Sequence, residues 1–492
     1  MISSHSDVVH VQTNDDRGRH FVTTRKCFAG QVLVSSHSFA KAVFTELVGV
    51  VCDYCFGKSR TNTLFMRCSR CKSAYYCSPS CQKLDYAFHK LECKTGAIQK
   101  LQSRCRDPVP LLGLRTLLRK DLPSSGLTNE GTFDDVLSLA SSDLIGGLSV
   151  NKLDHFTSCI GHALPEHVST SKVRKILKRI SCNAFTITDE ELKPLGVGLY
   201  PAASFANHSC NPNAFFVFKE THIALIALHE LEEGEEVVVN YVDLAEPLGS
   251  RREALRKQFS FICRCERCSE VDISAEDVLS VVSEIDQTTF IPKYTPTPEH
   301  WKVVEGILQQ VKCQNCKGLG LLTRRGFVCN CSSPVAHFGY EKFLAHTHKA
   351  RQLAVQLRWS ECFDVLSEAK ALNDEEQFLG RFHFEKRSFL IGLADCCVHL
   401  CKWIEAASAF RELIIMSKVL LPRNYPIIGI QEFALAKILS LLENNDKAAL
   451  KAFRNAASVL TISHKACVPE VLAAALKGLE ELSLSMKFSS EQ

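Results

Sequence analysis

From about Ser269 to the end of the chain, apolar residues recur three and four positions apart, the period of helices that bury one face. Residues 390–413 and 434–460 carry the pattern most cleanly. The pair Ala406/Phe410 returns 43 positions later as Ala449/Phe453, each after a polar break at Lys402 or at Asn444 and Asn445. Stacked helix hairpins are therefore predicted, without a full repeat signature, and the alanine stripe is expected to pack helix on helix. The first half reads differently. Residues 196–242 alternate short apolar runs with Gly, Pro and Asn, which predicts a compact β fold crossed by loops. Asn207, His208 and Cys210 fall in a polar loop between two such runs, and Tyr241 follows the strand-like Val237, Val238 and Val239. Polar groups in loops held by a rigid scaffold are where function concentrates.

The chain has 492 residues, 46% hydrophobic and 23% charged, with a formal net charge of +4. This composition excludes wholesale disorder and suits about three domains. The first sixteen residues carry His, Ser and Asp where a signal peptide needs an apolar core, and no apolar stretch approaches a membrane span. The chain is expected to be neither secreted nor membrane-spanning. Its 24 cysteines are then expected to be reduced, and regular spacing among them points to metal.

The densest run is Cys52-x2-Cys55-x12-Cys68-x2-Cys71-x5-Cys77-x3-Cys81-x7-His89-x3-Cys93, eight ligands in 42 positions. Eight ligands suit two tetrahedral zinc ions. The segment has few large apolar residues, so metal must supply much of its folding free energy. Ten Lys and Arg face three acidic residues between Cys52 and Cys105. Thiolates offset part of that surplus, which leaves a patch suited to weak nucleic-acid contact at most. Cys210 with Cys263, Cys265 and Cys268 makes a further four-sulfur set, expected to tie a loop to a distant segment through one zinc. Cys313, Cys316, Cys329 and Cys331 have the spacing of a ribbon with one tight Cys-x-Cys bite, compatible with a fourth zinc or with none. Cys396, Cys397 and Cys401, in an apolar run, are expected in the core.

The order of the first cluster, with "YYCS" at Tyr75 and "HKLEC" ending at Cys93, resembles the MYND zinc finger. That resemblance implies interleaved ligands, Cys52, Cys55, Cys77 and Cys81 on one ion and Cys68, Cys71, His89 and Cys93 on the other, and proline-containing peptides as partners. Around it lie Arg17-Gly18, the Gly30 turn before "QVLV", "NAF" from Asn183, "GVGLYP" from Gly196, "NHSC" from Asn207, "GEE" from Gly234 with Tyr241 following, and "CRCERC" ending at Cys268. Together these resemble the SMYD group of protein-lysine methyltransferases, whose SET domain is interrupted by a MYND finger. His20 stands where that group commonly has glycine.

The resemblance implies an α+β multidomain chain: a β-rich SET domain in pieces at 1–48 and 181–258, the finger at 49–97, a helical insert at 98–180, a post-SET zinc segment at 259–273 and an all-α tetratricopeptide-like domain at 274–492. It implies S-adenosylmethionine as cofactor, held by Arg17, Gly18, Arg19, Asn183, Asn207 and His208, with Phe261 facing the adenine. Tyr241 would close the catalytic site and also touch the cofactor, and Phe259 and Phe261 would line the lysine channel. Implied partners are protein substrates, histone or non-histone, and a chaperone tail at the helical domain; the chain is expected to act as a monomer in cytoplasm and nucleus. The competing reading is an interaction adaptor that uses the finger and helices while the SET fold serves as a frame.

Overall fold

Short strands before residue 48 and from Ala184 to Val239 enclose a mostly helical stretch at 79–183, and helices dominate beyond residue 338, where the helical period predicts them. The computed structural model describes residues 7–59, 64–120, 122, 129–141, 148–164, 168–269, 298–313, 315–316, 318–323, 326–329, 331 and 338–490. Val32–His37 and Ala214–Lys219 flank His222–Ala227 in one antiparallel sheet. Ala40–Val43 and Ala184–Thr188 flank Pro194–Leu199 in a second. A hairpin, Val9–Asn14 with Gly18–Thr23, lies at the N-terminal edge. These strands are short and rich in β-branched and aromatic residues, which pack well on small pleated faces.

Between Ala40–Val43 and Ala184–Thr188, strands of the second sheet, the chain forms the helices Pro108–Leu118, Val150–Ala163 and Thr170–Asn183, started by side-chain caps from Asp107, Ser149 and Ser169. The last buries Val173, Ile176, Leu177 and Ile180 on one stripe. It continues past the boundary expected at 180, so Asn183 ends a helix and Ala184 begins the strand directly.

Beyond residue 338, seven described helices follow one another from Phe338–Val355 to Pro469–Ser490, most packed on the next in sequence. Ala406, Ala407, Ala409, Ala449, Ala452 and Ala456 are all buried, so the alanine stripe does pack helix on helix. A continuous apolar core runs from Cys210, Leu228, Leu244 and Leu255 into these helices. Tyr425 completes the joint: its ring packs edge-on against Phe215 at 4.9 Å and its hydroxyl donates to Asn240 Oδ1 at 2.9 Å.

Two expectations need correction. The C-terminal region is not all helical, because Gln310–Lys312, Leu319–Thr323 and Gly326–Cys329 form an antiparallel sheet, in a stretch without alanine that Gly318, Gly320 and Gly326 interrupt. Cys396 and Cys397 are buried, but Cys401 is exposed, since the helix has already ended and residue 401 turns through a positive φ. Residues 274–297 of the expected C-terminal domain lie outside the described residues. Among those described, no helix is long and apolar enough to cross a membrane.

Candidate active site and metal centres

The polar loop singled out in the sequence is held by an unusual pairing. Asn207–His208 runs parallel to Val238–Val239, and Ser209 N–H continues the contact to Val239 O at 2.8 Å. Val238 N–H donates to Asn213 Oδ1 at 2.8 Å, so the loop between is fixed at both ends. This brings Asn207, His208 and Tyr241 together from positions more than thirty residues apart.

Tyr241 is anchored twice. Its N–H donates to His208 Nδ1 at 2.9 Å, and its hydroxyl donates to Ala206 O at 2.7 Å. Burial first, then the nearby Glu236 carboxylate, push its phenol above the ordinary tyrosine range, so the group stays neutral at physiological pH. Because His208 Nδ1 accepts, Nε2 carries the ring proton, and it faces Cys210 Sγ at 3.3 Å. A chain of contacts therefore runs from the cysteine cluster through His208 to the backbone of Tyr241. Phe259 lies 4.7 Å from the Tyr241 ring and Phe261 6.4 Å, both half-buried. Together these rings form an aromatic wall with one hydroxyl set into it.

Asn207 donates to Arg17 O at 3.0 Å and to Glu236 Oε1 at 3.1 Å, while Arg17 pairs with Glu236 at 3.1 Å. Gly18 closes the hairpin turn with φ +62, and a Cβ there would meet nothing within 4 Å, so the turn presents open backbone beside Asn207. Arg19 and Asn183 make further contacts. Arg19 lies over the Phe205 ring and donates to Ser138 O, while Asn183 donates to Ala140 O; both tie down the segment 138–140. His20 fits a regular strand position opposite Gln12, buried, with Nδ1 3.0 Å from Gly18 O. The side chain is accommodated without a left-handed backbone.

The cysteines gather as four sets, each with its ligand atoms within 4.8 Å of one another: Cys52, Cys55, Cys77, Cys81; Cys68, Cys71, His89, Cys93; Cys210, Cys263, Cys265, Cys268; and Cys313, Cys316, Cys329, Cys331. The interleaving expected from the resemblance is the one observed. Helix Pro79–Thr95 produces it by carrying Cys81, His89 and Cys93 at multiples of four, on one face. Sulfur and imidazole donors in fours fit tetrahedral zinc.

Residues around the ligands were not legible in the sequence. Glu92 lies 2.8 Å from His89 Nδ1, which leaves Nε2 toward Cys71 Sγ at 3.4 Å, the orientation a metal-binding imidazole needs. Arg115, from the helical insert, reaches Glu92 at 3.1 Å, Asp53 at 3.3 Å and Lys41 O at 2.9 Å. It fastens finger, insert and β sheet together. At the other cluster Arg251 donates to Cys210 Sγ at 3.3 Å and pairs with Glu305 at 2.7 Å, and Arg267 pairs with the same carboxylate at 2.9 Å. All three side chains are fully buried or within 1% of it. Two guanidinium charges beside four thiolates offset the negative charge of a zinc-tetrathiolate.

Zinc ligation of this kind is worth roughly 10–16 kcal/mol to a small finger, as much as a domain's whole stability. Chelation of the full chain is expected to remove amide protection across residues 52–93 while residues 403–463 keep theirs, read by hydrogen exchange. Unchanged protection in the finger after complete zinc removal would show that metal does not hold it.

Residues 52–93 match the model of the MYND finger family. Along most of its length the chain is similar to histone-lysine N-methyltransferase ASHR1 of Arabidopsis thaliana, 26% identical over 479 residues that cover 92% of this chain and 91% of that one. Histone-lysine N-methyltransferase SMYD3 of Mus musculus is also 26% identical, over 464 residues covering 92% of each chain. N-lysine methyltransferase SMYD2 of Homo sapiens is 32% identical over 264 residues, 52% of this chain and 59% of that one.

Proposed function

We infer that the chain belongs with the SET- and MYND-domain protein-lysine methyltransferases and that it methylates lysine side chains of proteins. The observation that carries this reading is the convergence of Asn207, His208 and Tyr241 on one paired loop, beside an aromatic wall, in a chain similar to such enzymes over 92% of its length. A structural frame has no physical need for that constellation.

S-adenosylmethionine, when bound, would supply an electrophilic methyl group on a sulfonium centre. The residues fit such a group: Gly18 offers open backbone, Asn207 keeps its side-chain oxygen as an acceptor suited to an ammonium, and Phe261 offers a ring face. We assign Arg17, Gly18, Asn207 and His208 to hold it, with Arg19 and Asn183 on the flank they build with residues 138–140. Cys52, Cys55, Cys77 and Cys81, then Cys68, Cys71, His89 and Cys93, then Cys210, Cys263, Cys265 and Cys268 are assigned as ligands of three structural zincs.

A protonated lysine cannot attack, and removing its proton at pH 7 costs about 4.6 kcal/mol from an ordinary pKa near 10.4. Phe259, Phe261 and Tyr241 lower that cost by excluding water from the amine, which disfavours its charged form. Tyr241 cannot be the base, since its neutral phenol already donates to Ala206 O; the proton leaves to solvent. What the phenol oxygen can do is accept weak C–H contacts and fix the direction of approach.

The finger is assigned to proline-containing peptides, supported by Leu84 and Tyr86, 58% and 61% exposed on its helix. A chaperone tail is assigned to the helical stack, where Phe343, Phe363, Phe389 and Leu393 line a cavity of about 420 Å³, at whose edge Lys370 and Lys386 pair with Asp374 and Glu412. The test of the main reading is incubation with methyl-labelled S-adenosylmethionine and a mixture of proteins including histones. Label on lysine supports it; no label with properly metallated chain would favour the adaptor.

A further inference from the structure

Four thiols outside both the finger and the catalytic fold converge on a point of their own. Cys316 and Cys329 bring their sulfurs to 3.4 Å and Cys313 and Cys331 to 3.6 Å, well beyond the bond of about 2.05 Å that a disulfide requires. All four are thiols and not half-cystines, and Cys313 and Cys329 are buried. The three-stranded sheet positions them: Cys313 follows the strand Gln310–Lys312 directly, and Cys329 ends the strand Gly326–Cys329.

The backbone around Cys313 repeats that of the finger. In the finger, Cys52 N–H donates to Gly57 O at 3.0 Å, and a Cβ added to Gly57 would stand 3.3 Å from Cys55 Sγ. In the sheet, Cys313 N–H donates to Gly318 O at 2.8 Å, and a Cβ added to Gly318 would stand 3.3 Å from Cys316 Sγ. Both segments read Cys-x2-Cys-x-Gly. The same spacing, with the same hydrogen bond between its first cysteine and its glycine and the same close approach at that glycine, thus occurs once inside the finger at 52–93 and again outside it.

We propose that Cys313, Cys316, Cys329 and Cys331 bind one further zinc ion, which makes the sheet Gln310–Lys312, Leu319–Thr323 and Gly326–Cys329 a metal ribbon bracing the helical domain. Four thiolates in a tetrahedral set select zinc or iron over hard cations, and knuckles on a small sheet are the structural form of zinc. What the ion would hold is visible. Lys312 N–H donates to Phe378 O at 2.8 Å, Gly380 N–H to Gln310 O at 2.9 Å, and Phe384 N–H to Leu308 O at 3.1 Å. The ribbon's first strand therefore fixes the turn between two helices of the stack, and five residues before it stands Glu305, the shared partner of Arg251 and Arg267. Metal in the ribbon fastens one end of a segment whose other end packs against the Cys210 cluster.

This proposal does not depend on the methyltransferase reading, since its test reads metal and thiols, not turnover. The full-length reduced chain is treated with iodoacetamide under native conditions, and peptide mass spectrometry follows each cysteine. Cys316 and Cys401 are both exposed, so Cys401 reports the rate of an unligated surface thiol. Cys401 is expected to be alkylated at least about tenfold faster than Cys316, because a zinc-bound thiolate has surrendered its nucleophilic pair. After chelation the two rates should converge. Metal analysis should give one zinc fewer in Cys316→Ser/Cys329→Ser than in wild type. Equal alkylation of Cys316 and Cys401 in untreated protein, a disulfide among the four, stoichiometric iron, or the same zinc content in both proteins would each overturn it. If the double variant does not fold, alkylation of the wild-type chain decides alone, and Cys77, the exposed ligand of the finger, shows separately whether the finger is loaded.

Discussion

Tyr241→Phe is expected to lose about 10²- to 10³-fold in kcat, the usual cost of removing one preorganised polar group from a reacting centre, while KM for the protein substrate changes little. The ring stays between His208 and Phe259, so the aromatic wall keeps its shape; what disappears is the single hydroxyl and its bond to Ala206 O at 2.7 Å. Loss confined to kcat marks an interaction made in the transition state only. Asn207→Ala should behave oppositely, raising KM for S-adenosylmethionine, because it releases both Arg17 O and Glu236 from the loop. Equal labelling by wild type and both variants would remove the site assignment. The pH profile offers a second check. With a lysine pKa near 10.4 governing the neutral amine, kcat/KM should climb about tenfold per pH unit from pH 7. Burial raises the Tyr241 pKa, so its ionisation should add no falling limb below the ordinary tyrosine value of about 10. A decline beginning near pH 8 would contradict a neutral tyrosine in that role.

Glu305→Ala is expected to destabilise the join between catalytic fold and helical stack by about 3–5 kcal/mol, the cost of leaving buried charge without its partner. Here the exposure is particularly severe. Arg251 and Arg267 are both fully buried, Glu305 is their common counter-ion, and Leu248 N–H loses its acceptor at 2.9 Å as well. Since a multidomain chain does not unfold in one step, the measurement is the urea midpoint at which the Cys210 cluster releases zinc, compared with wild type and with Glu305→Gln. The glutamine keeps an acceptor of the same shape and should fall between the two. A midpoint for Glu305→Ala within error of wild type would mean that the two arginines are satisfied by something else.

What the sequence disclosed and what it concealed divide along one physical line. Metal ligation depends on residue type at fixed local spacing, so the eight ligands of the finger could be read before any fold was known, while their division between two ions came only with the family resemblance. Ala406 and Ala449 disclosed the helix stack for the same reason, because a small residue at helical period implies close packing. Glu305 could not be read that way: it meets Arg251 and Arg267 across 54 and 38 positions, and a buried charge has the same letter as a solvated one. Arg19 and Asn183 also reach the carbonyls of Ser138 and Ala140, contacts that no motif marks. The sheet at 310–329 was hidden by length, since strands of three to five residues are too short to show alternation against a helical background.

The Arg115 clamp has a bearing on how the finger can work. A guanidinium that simultaneously grips two acids of the finger and a carbonyl of the neighbouring β strand leaves no swivel between them. A finger tied down at this point would act as a mount more than as a swinging arm, so a peptide resting on it would be held within a narrow range of distance from Tyr241. Recruitment there would act as a ruler, favouring proteins whose docking motif and target lysine are separated by one particular span.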